Sequence, residues 1–327
     1  MNKTVWVLVA GVLAILPTLC QADLTLYGRV YAEAAKETTG KGATKLDKDT
    51  LDDGQNAGRI GLKFSQTVND GLTAFGKYEF TMNAPDATND FSARESYVGI
   101  EGHFGAFAIG RFQGTYKTTG GIDFDPFAFT SLEARNNGGM SGSDFGTDGF
   151  ISRAIQYQSP LLGGTDALHF QGTLQYGMDS TPGVTDADRG SYLTGLTLGY
   201  GVADLVAAVA HDKARDKSNT KLGLRIRSGE ITWLIQSENV EEGGFDPAGA
   251  GNFLYGGVEY RNGSINYVAQ IGNYRSNAAT SNGSYFALGI QYFFAQNVWL
   301  NAGYRNTQSD VDSLNSSAIV VGLNYNF

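Results

Sequence analysis

The chain has 327 residues and a formal net charge of −9, with 44 glycines, 19 phenylalanines and 17 tyrosines but only six prolines and one cysteine. The acidic balance argues against nucleic acid as a partner, because phosphate backbones are held by clustered cations. A single cysteine excludes a disulfide framework.

The first segment reads as an export signal rather than as part of the fold. Met1-Asn-Lys3 gives a positive start, Val5 to Leu16 an apolar run, and Cys20-Gln21-Ala22 a small-x-small cleavage site. Twelve apolar residues make a helix of only about 18 Å, short of the ~30 Å hydrocarbon core of a bilayer. Residues 1–22 are therefore expected to be removed as a signal peptide. The mature chain then runs from Asp23 to Phe327 without cysteine, at a net charge of −10 once Lys3 is gone.

The mature chain alternates at once. Leu24, Leu26, Gly28, Val30 and Ala32 share one face, and Tyr27, Arg29, Tyr31 and Glu33 the other. A period of two means a strand with one apolar side. A second strand sets Ile60, Leu62 and Phe64 against Arg59, Gly61 and Lys63. After the tight turn Asn69-Asp70-Gly71, a third sets Ala74, Gly76, Tyr78 and Phe80 against Phe75, Lys77 and Glu79.

The same rhythm continues to the end of the chain. Short turns near His103-Phe104-Gly105, Gly201, Ser228-Gly229, Asn262-Gly263 and Gln296-Asn297 alternate with longer polar stretches such as Asn239–Ala250 and Asn306–Asn315. Sixteen strands fit, at an average repeat of about nineteen residues, enough for a tilted strand of about ten residues and a connection. No helical segment is visible to cover so many one-sided strands. A closed antiparallel sheet with its apolar side toward lipid and its polar side toward a water-filled lumen satisfies the pattern. It also explains why the tight turns collect at one end. Trp233 and Trp299 near strand ends suit interfacial girdles.

One stretch breaks the rhythm. From Gln113 to Ser152 glycine, aspartate, serine and threonine interrupt every apolar run, through Gly120-Gly-Ile-Asp123-Phe-Asp125-Pro and Ser131-Leu-Glu133-Ala-Arg135 to Gly138-Gly-Met-Ser-Gly-Ser-Asp144. A connection this long inside a compact domain reads as functional: an acidic loop folded into the barrel mouth, where it narrows the pore.

The order of the motifs resembles the general porins of Gram-negative outer membranes. Leu26-Tyr27-Gly28-Arg29 is similar to their opening strand and Gly58-Arg59-Ile60-Gly61-Leu62-Lys63 to their second. Arg94-Glu-Ser-Tyr97-Val98-Gly99-Ile100 with Ile109-Gly110-Arg111 is similar to the fourth and fifth. Ser152-Arg153-Ala-Ile-Gln-Tyr157 resembles the return after the constriction loop, and Gly322-Leu-Asn-Tyr325-Asn-Phe327 the terminal strand.

The resemblance covers residues 23–327. It implies a sixteen-stranded transmembrane β-barrel in the outer membrane, assembled as a homotrimer among lipid and lipopolysaccharide, with the third outer loop (113–152) folded inward. It also implies that the barrel-insertion machinery reads the terminal strand through Gly322, Tyr325 and Phe327. By motif position Arg29, Arg59, Arg94 and Arg153 match the basic cluster on the pore wall, with Lys63 beside them. The facing acids are expected at Asp123, Asp125 and Glu133. The Pro-Glu-Phe-Gly-Gly string of some members is missing here, and Arg94 shares strand parity with Val98 and Ile100, so it reaches the lumen only if a bulge or the strand end changes its direction.

Such a pore passes small hydrophilic solutes and ions by passive diffusion and needs neither cofactor nor catalysis. Fixed charges of opposite sign on wall and loop would set a transverse field that tunes selectivity, here leaning toward anions. Arg59 on the lipid side would cost roughly 2–4 kcal/mol, so its greasy neighbours take that side. The three histidines lie far apart, and no cluster has metal-ligand spacing. Rival readings are a substrate-specific channel, a barrel-based hydrolase and an adhesin; no Gly-x-Ser-x-Gly supports the hydrolase.

Overall fold

The computed structural model describes residues 22–86, 91–143, 145–164, 167–181, 185–245, 249–278 and 281–327. The expected signal segment up to Gln21, and Asp144 of the long loop, lie outside these residues.

Among the described residues sixteen long strands close into one antiparallel barrel. They are β1 (Asp23–Thr39), β2 (Arg59–Asn69), β3 (Leu72–Thr81), β4 (Ala93–Gly102), β5 (Gly105–Gln113), β6 (Phe150–Gln158), β7 (His169–Gly177) and β8 (Tyr192–Tyr200) in the first half. The second half has β9 (Ala203–Asp212), β10 (Lys217–Ser228), β11 (Ile231–Val240), β12 (Gly251–Asn262), β13 (Ile265–Ser276), β14 (Gly283–Ala295), β15 (Val298–Ser309) and β16 (Ser316–Asn326).

Each strand pairs with its sequence neighbours, and β1 closes the ring by running against β16 from Arg29↔Asn326 to Thr39↔Ser316. The carboxy-terminal residue completes the seam, with Phe327 N–H donating to the Gly28 carbonyl at 3.1 Å and Gly28 N–H to that of Phe327 at 3.0 Å. Two shorter strands lie outside the count of sixteen. Leu46–Asp52 folds back along the far half of β1, and Leu162–Gly163 prolongs the β6 side against β7.

The turns behave as the sequence suggested. Gly201 and Gly229 take positive φ, 56° and 58°, at two-residue connections where a side chain would be strained. Short connections gather at one rim and long ones at the other.

Alternation fixes the faces. Along β16 Ala318 and Val320 are 1% and 0% exposed, whereas Ile319, Val321 and Leu323 are 58%, 50% and 51% exposed. The same holds outside Leu62, Val98, Leu222, Ile235, Leu254 and Ile271. An apolar band of this extent around the outside does not stand in water; hydrocarbon is its natural cover. Trp233 lies in that band. Trp299 instead turns inward, where Phe293 stacks on it at 5.6 Å and Arg29 lies over it.

The interior holds the protein's core. Phe124, Phe127, Leu132, Ala134 and Met140 of the long loop pack on Val206, Leu234, Tyr255, Val268, Tyr285 and Val320 of the wall. The backbones approach closely: a Cβ on Gly272 of β13 would lie 2.5 Å from the Gly139 Cα of the loop. On this side the lumen is filled with side chains, where strand alternation alone suggested water.

Candidate functional site

The strands end at Gln113 and resume at Phe150, so the loop proper spans 114–149, and Phe150, Arg153 and their neighbours are already β6. It opens with a short helix, Thr115–Thr118, and a 3-10 turn, Gly121–Phe124. Wall side chains then satisfy its backbone. Gln236 Oε1 accepts from Gly121 N–H at 2.7 Å, and the Tyr255 hydroxyl donates to the Phe124 carbonyl at 2.8 Å. At the far end Ser131 is held from two strands: its N–H donates to Glu33 at 3.0 Å, and Arg305 Nε donates to its carbonyl at 2.7 Å. The Phe129 carbonyl accepts from Gln55 N–H at 3.1 Å, which ties the loop to the first outer connection. A segment lacking long regular structure meets its hydrogen-bond needs in this way.

The three acids of this loop have separate fates. Asp125, 4% exposed, spends its carboxylate on Phe127 N–H (3.0 Å), Ala134 N–H (2.7 Å) and Gln270 Nε2 (2.6 Å). Glu133 is fully buried and takes Arg135 through two bonds of 2.9 Å and Phe129 N–H at 2.7 Å. Both knot the loop together rather than face the lumen. Asp123 is exposed and borders a cavity of about 250 Å³ with Arg225, Gln171 and Thr173. Crowding by the surrounding protein pushes its carboxyl up, to about 6, against the pull of Arg225 and Lys221.

Three of the basic residues singled out from the sequence come together. Arg29 and Arg59 are register partners on β1 and β2, an unfavourable juxtaposition for like charges. The ring of Phe129 from the loop offsets it: the guanidinium carbons of Arg29 and Arg59 lie 5.6 and 4.7 Å from its centroid. Arg94 joins through a bulge, since the β3–β4 register slips between Glu79 and Phe80, so that Glu95 and Ala93 are paired and Arg94 is extra. Its Nε donates to Glu79 Oε1 at 2.9 Å, and its guanidinium lies 5.4 Å from the Phe150 ring.

Three further cations were not picked out from the sequence: Arg111 and Lys117 over Phe150 at 4.9 and 4.8 Å, and Arg135 over Phe129 at 5.3 Å. Lys117 and Arg135 come from the loop itself. A sequence signal existed for Arg135, which sits two places from Glu133 in a stretch otherwise poor in cations.

Arg153 and Lys63 lie elsewhere. Arg153 follows the parity of Ile155 and Tyr157, borders a hollow on the outer face with Phe64, Tyr78 and Val98, and pairs with Asp186 at 3.1 Å. Its φ of +49° marks a break in β6, and its guanidinium does not join the inner cluster; Ser152 beside it does, accepting from Arg111. Lys63 is exposed and lies over the Tyr27 ring at 4.7 Å, beside Lys77.

Around the two phenylalanine rings the described residues thus gather six cations, Arg29, Arg59, Arg94, Arg111, Lys117 and Arg135, against three carboxylates paired with them, Glu79, Glu133 and Asp148; Lys77 and Glu95 pair beside them. Arg59 and Arg94 share one carboxylate, Glu79, at 4.0 and 2.9 Å, so the cations outnumber the carboxylates that pair with them and the net field is positive. Such a field in a low-dielectric frame favours anions. The described residues contain no group of three metal-ligating side chains.

Comparison with known proteins agrees with the fold. A family model described as Gram-negative porin matches residues 7–312. The major outer membrane protein P.IB of Neisseria gonorrhoeae is 26% identical over 98% of this chain and 89% of its own length. Among solved structures, the anion-selective porin from Comamonas acidovorans superposes with a TM-score of 0.75 at 19% identity, covering 94% of this chain and all of the other. OmpF of Salmonella typhi, in complex with daunomycin, gives 0.66 at 16% identity over 93% of this chain and 97% of the other.

Proposed function

This chain belongs to the Gram-negative porin family, and from that premise we propose that its pore prefers anions, selected where the arginines of β1, β2 and β4 face the inner edge of loop 114–149. As a porin it sits in the outer membrane and forms a water-filled channel for passive diffusion of small hydrophilic solutes; it is not an enzyme.

The observation that carries the anion reading is the charge balance around Phe129 and Phe150, six cations to three carboxylates. Two of the loop acids that would oppose it are turned into the loop's own packing. The loop edge contributes Lys117 and Arg135, so this pore is basic on both sides of its proposed narrowest section, and Asp123 acts on the Arg225 side. The test is the reversal potential of the purified protein in a planar bilayer under a potassium chloride gradient. A potential of the sign set by chloride is expected; one set by potassium would overturn the anion preference while leaving the channel intact.

The same reading assigns residues 1–22 to a cleaved signal, makes the assembly a homotrimer, places the outer loops against lipopolysaccharide and gives Gly322, Tyr325 and Phe327 to the insertion machinery. Support for the last comes from geometry: Tyr325 and Phe327 are 45% and 44% exposed on the outer face. Gly322 leaves room for the Tyr31 hydroxyl, which a Cβ would approach to 2.3 Å.

A further inference from the structure

On the short-turn side of Phe129 the loop and the wall of β1, β15 and β16 enclose an alcove of about 220 Å³. Loop residues Ile122, Pro126 and Ala128 give it an apolar side; Arg29, Asn301 and Asn324 give it a polar one. We propose that this alcove is a subsite for small organic carboxylates with a compact apolar body, of which benzoate is a test case. The proposal rests on the channel reading and names a solute class for it.

Arg29 is the anchor. Its Nε is committed to Asn326 Oδ1 at 3.1 Å, while no carboxylate among the described residues lies within ion-pair distance of it. The rest of the guanidinium fork is suited to a bidentate carboxylate. The rings of Phe129 and Trp299, at 5.6 and 5.9 Å, hold the guanidinium in place. Asp125 borders the alcove, but its oxygens are taken by the Phe127 and Ala134 amides and by Gln270.

Three alternatives fit less well. A sugar stacks on a bare aromatic face, and here the faces are occupied. Trp299 is stacked by Phe293 and lies beneath Arg29, and Phe129 carries Arg29 and Arg59. What the rings offer instead is their positive edges, which tolerate an anion. Inorganic phosphate would gain nothing from Ile122, Pro126 and Ala128. A nucleotide is too large, because the alcove is smaller than the roughly 300–1,000 Å³ of sites for drug-sized ligands.

The test uses the purified full chain in planar bilayers under constant potassium chloride, with added benzoate, acetate, phosphate or glucose at matched ionic strength. Benzoate is expected to reduce the chloride current saturably, and acetate, phosphate and glucose are expected not to. Arg29→Gln should raise the half-blocking benzoate concentration about tenfold or more, the size expected for losing a charge-assisted hydrogen-bonded pair. Ile122→Ser should weaken benzoate block without touching the anchor, which guards against a variant that merely fails to fold. Equal block by acetate and benzoate, or an unchanged half-block in both variants, would overturn the subsite. Loss of potassium chloride conductance in the wild-type protein would overturn the channel reading instead.

Discussion

The inner face of the barrel carries two chemistries. On β1 to β4 it presents Arg29, Arg59, Lys77, Glu79, Arg94 and Glu95, which pair among themselves, and the loop meets them through the ring of Phe129. On β9 to β16 it presents Val206, Leu234, Val268, Ala287 and Val320, and the loop packs on them as a domain packs on its core. The strands are alike in length, pairing and alternation. Period two says which side chains point inward; it does not say whether they meet water or protein. In this molecule the loop decides that, by bringing its own phenylalanines to one half and leaving the other half to charge.

The strongest way to break the contrast is to free the loop from its packed side. Glu238 of β11 is 1% exposed and accepts from the Tyr116 hydroxyl at 2.9 Å, the Ser141 hydroxyl at 2.5 Å, Ser141 N–H at 3.2 Å and Gln236 Nε2 at 2.9 Å. Glu238→Ala leaves these donors buried without an acceptor, and at about 1–3 kcal/mol for each group the loss reaches roughly 3 kcal/mol or more. It also removes a negative charge from the neighbourhood of Lys221, whose ammonium keeps the Tyr116 carbonyl at 2.7 Å. The barrel pairing is untouched, so the expected result is a folded barrel whose segment 114–149 becomes cleavable by protease in detergent and whose single-channel current becomes larger and noisier. Equal protection in variant and parent would mean that the wall carboxylate does not hold the loop.

A smaller effect sharpens the contrast on the charged side. A charge about 7 Å from a passing ion in water-like surroundings is worth about 0.6 kcal/mol. Acting with opposite sign on chloride and potassium, its loss in Arg59→Gln should lower the ratio of chloride to potassium permeability roughly sevenfold, read from the reversal potential. Arg153→Gln should leave it unchanged, because that side chain pairs with Asp186 outside the barrel. A shift of equal size in both variants would place Arg153 in the pore after all.

That pair of variants also shows how far the sequence could be read. The barrel was legible because each strand repeats one simple constraint, greasy and polar in turn, and sixteen repetitions leave little freedom. Arg29 and Arg59 were legible for the same reason. Arg94 was recoverable only by supposing a bulge, and the bulge is there. At Arg153 motif position and strand parity disagree, and the side chain follows its parity with Ile155 and Tyr157 to the outer face. The loop acids were harder still. Whether Asp125 and Glu133 meet water depends on backbone amides brought to them by the loop's own path, which no periodicity encodes. Arg135 and Lys117 were missed for a related reason: a cation in an irregular segment has no face until the segment is folded.

Lys117 supplies the finest comparison between the two sides. Its ammonium lies 4.8 Å from the Phe150 ring and 3.6 Å from Asp148. Burial, and then the charge of Arg135, pull its pKa down to about 8, with Asp148 opposing. The arginines around it keep their charge throughout the working range; Glu133, whose carboxyl burial pushes up to about 7 against the pull of Arg135, changes charge lower down, so between pH 8 and 9 the titrating loop group is Lys117. As pH rises through 8 the ring loses one positive charge and the anion preference should fall, by less than twofold because Asp148 already compensates part of that charge. The expected record is a reversal potential that drifts toward the potassium side between pH 8 and 9 and stays flat over that interval in Lys117→Met. A drift that persists in Lys117→Met above pH 8 would belong to another group; Asp123, whose carboxyl sits near 6, and Glu133, near 7, move the preference in the same direction as pH rises but do so below that window.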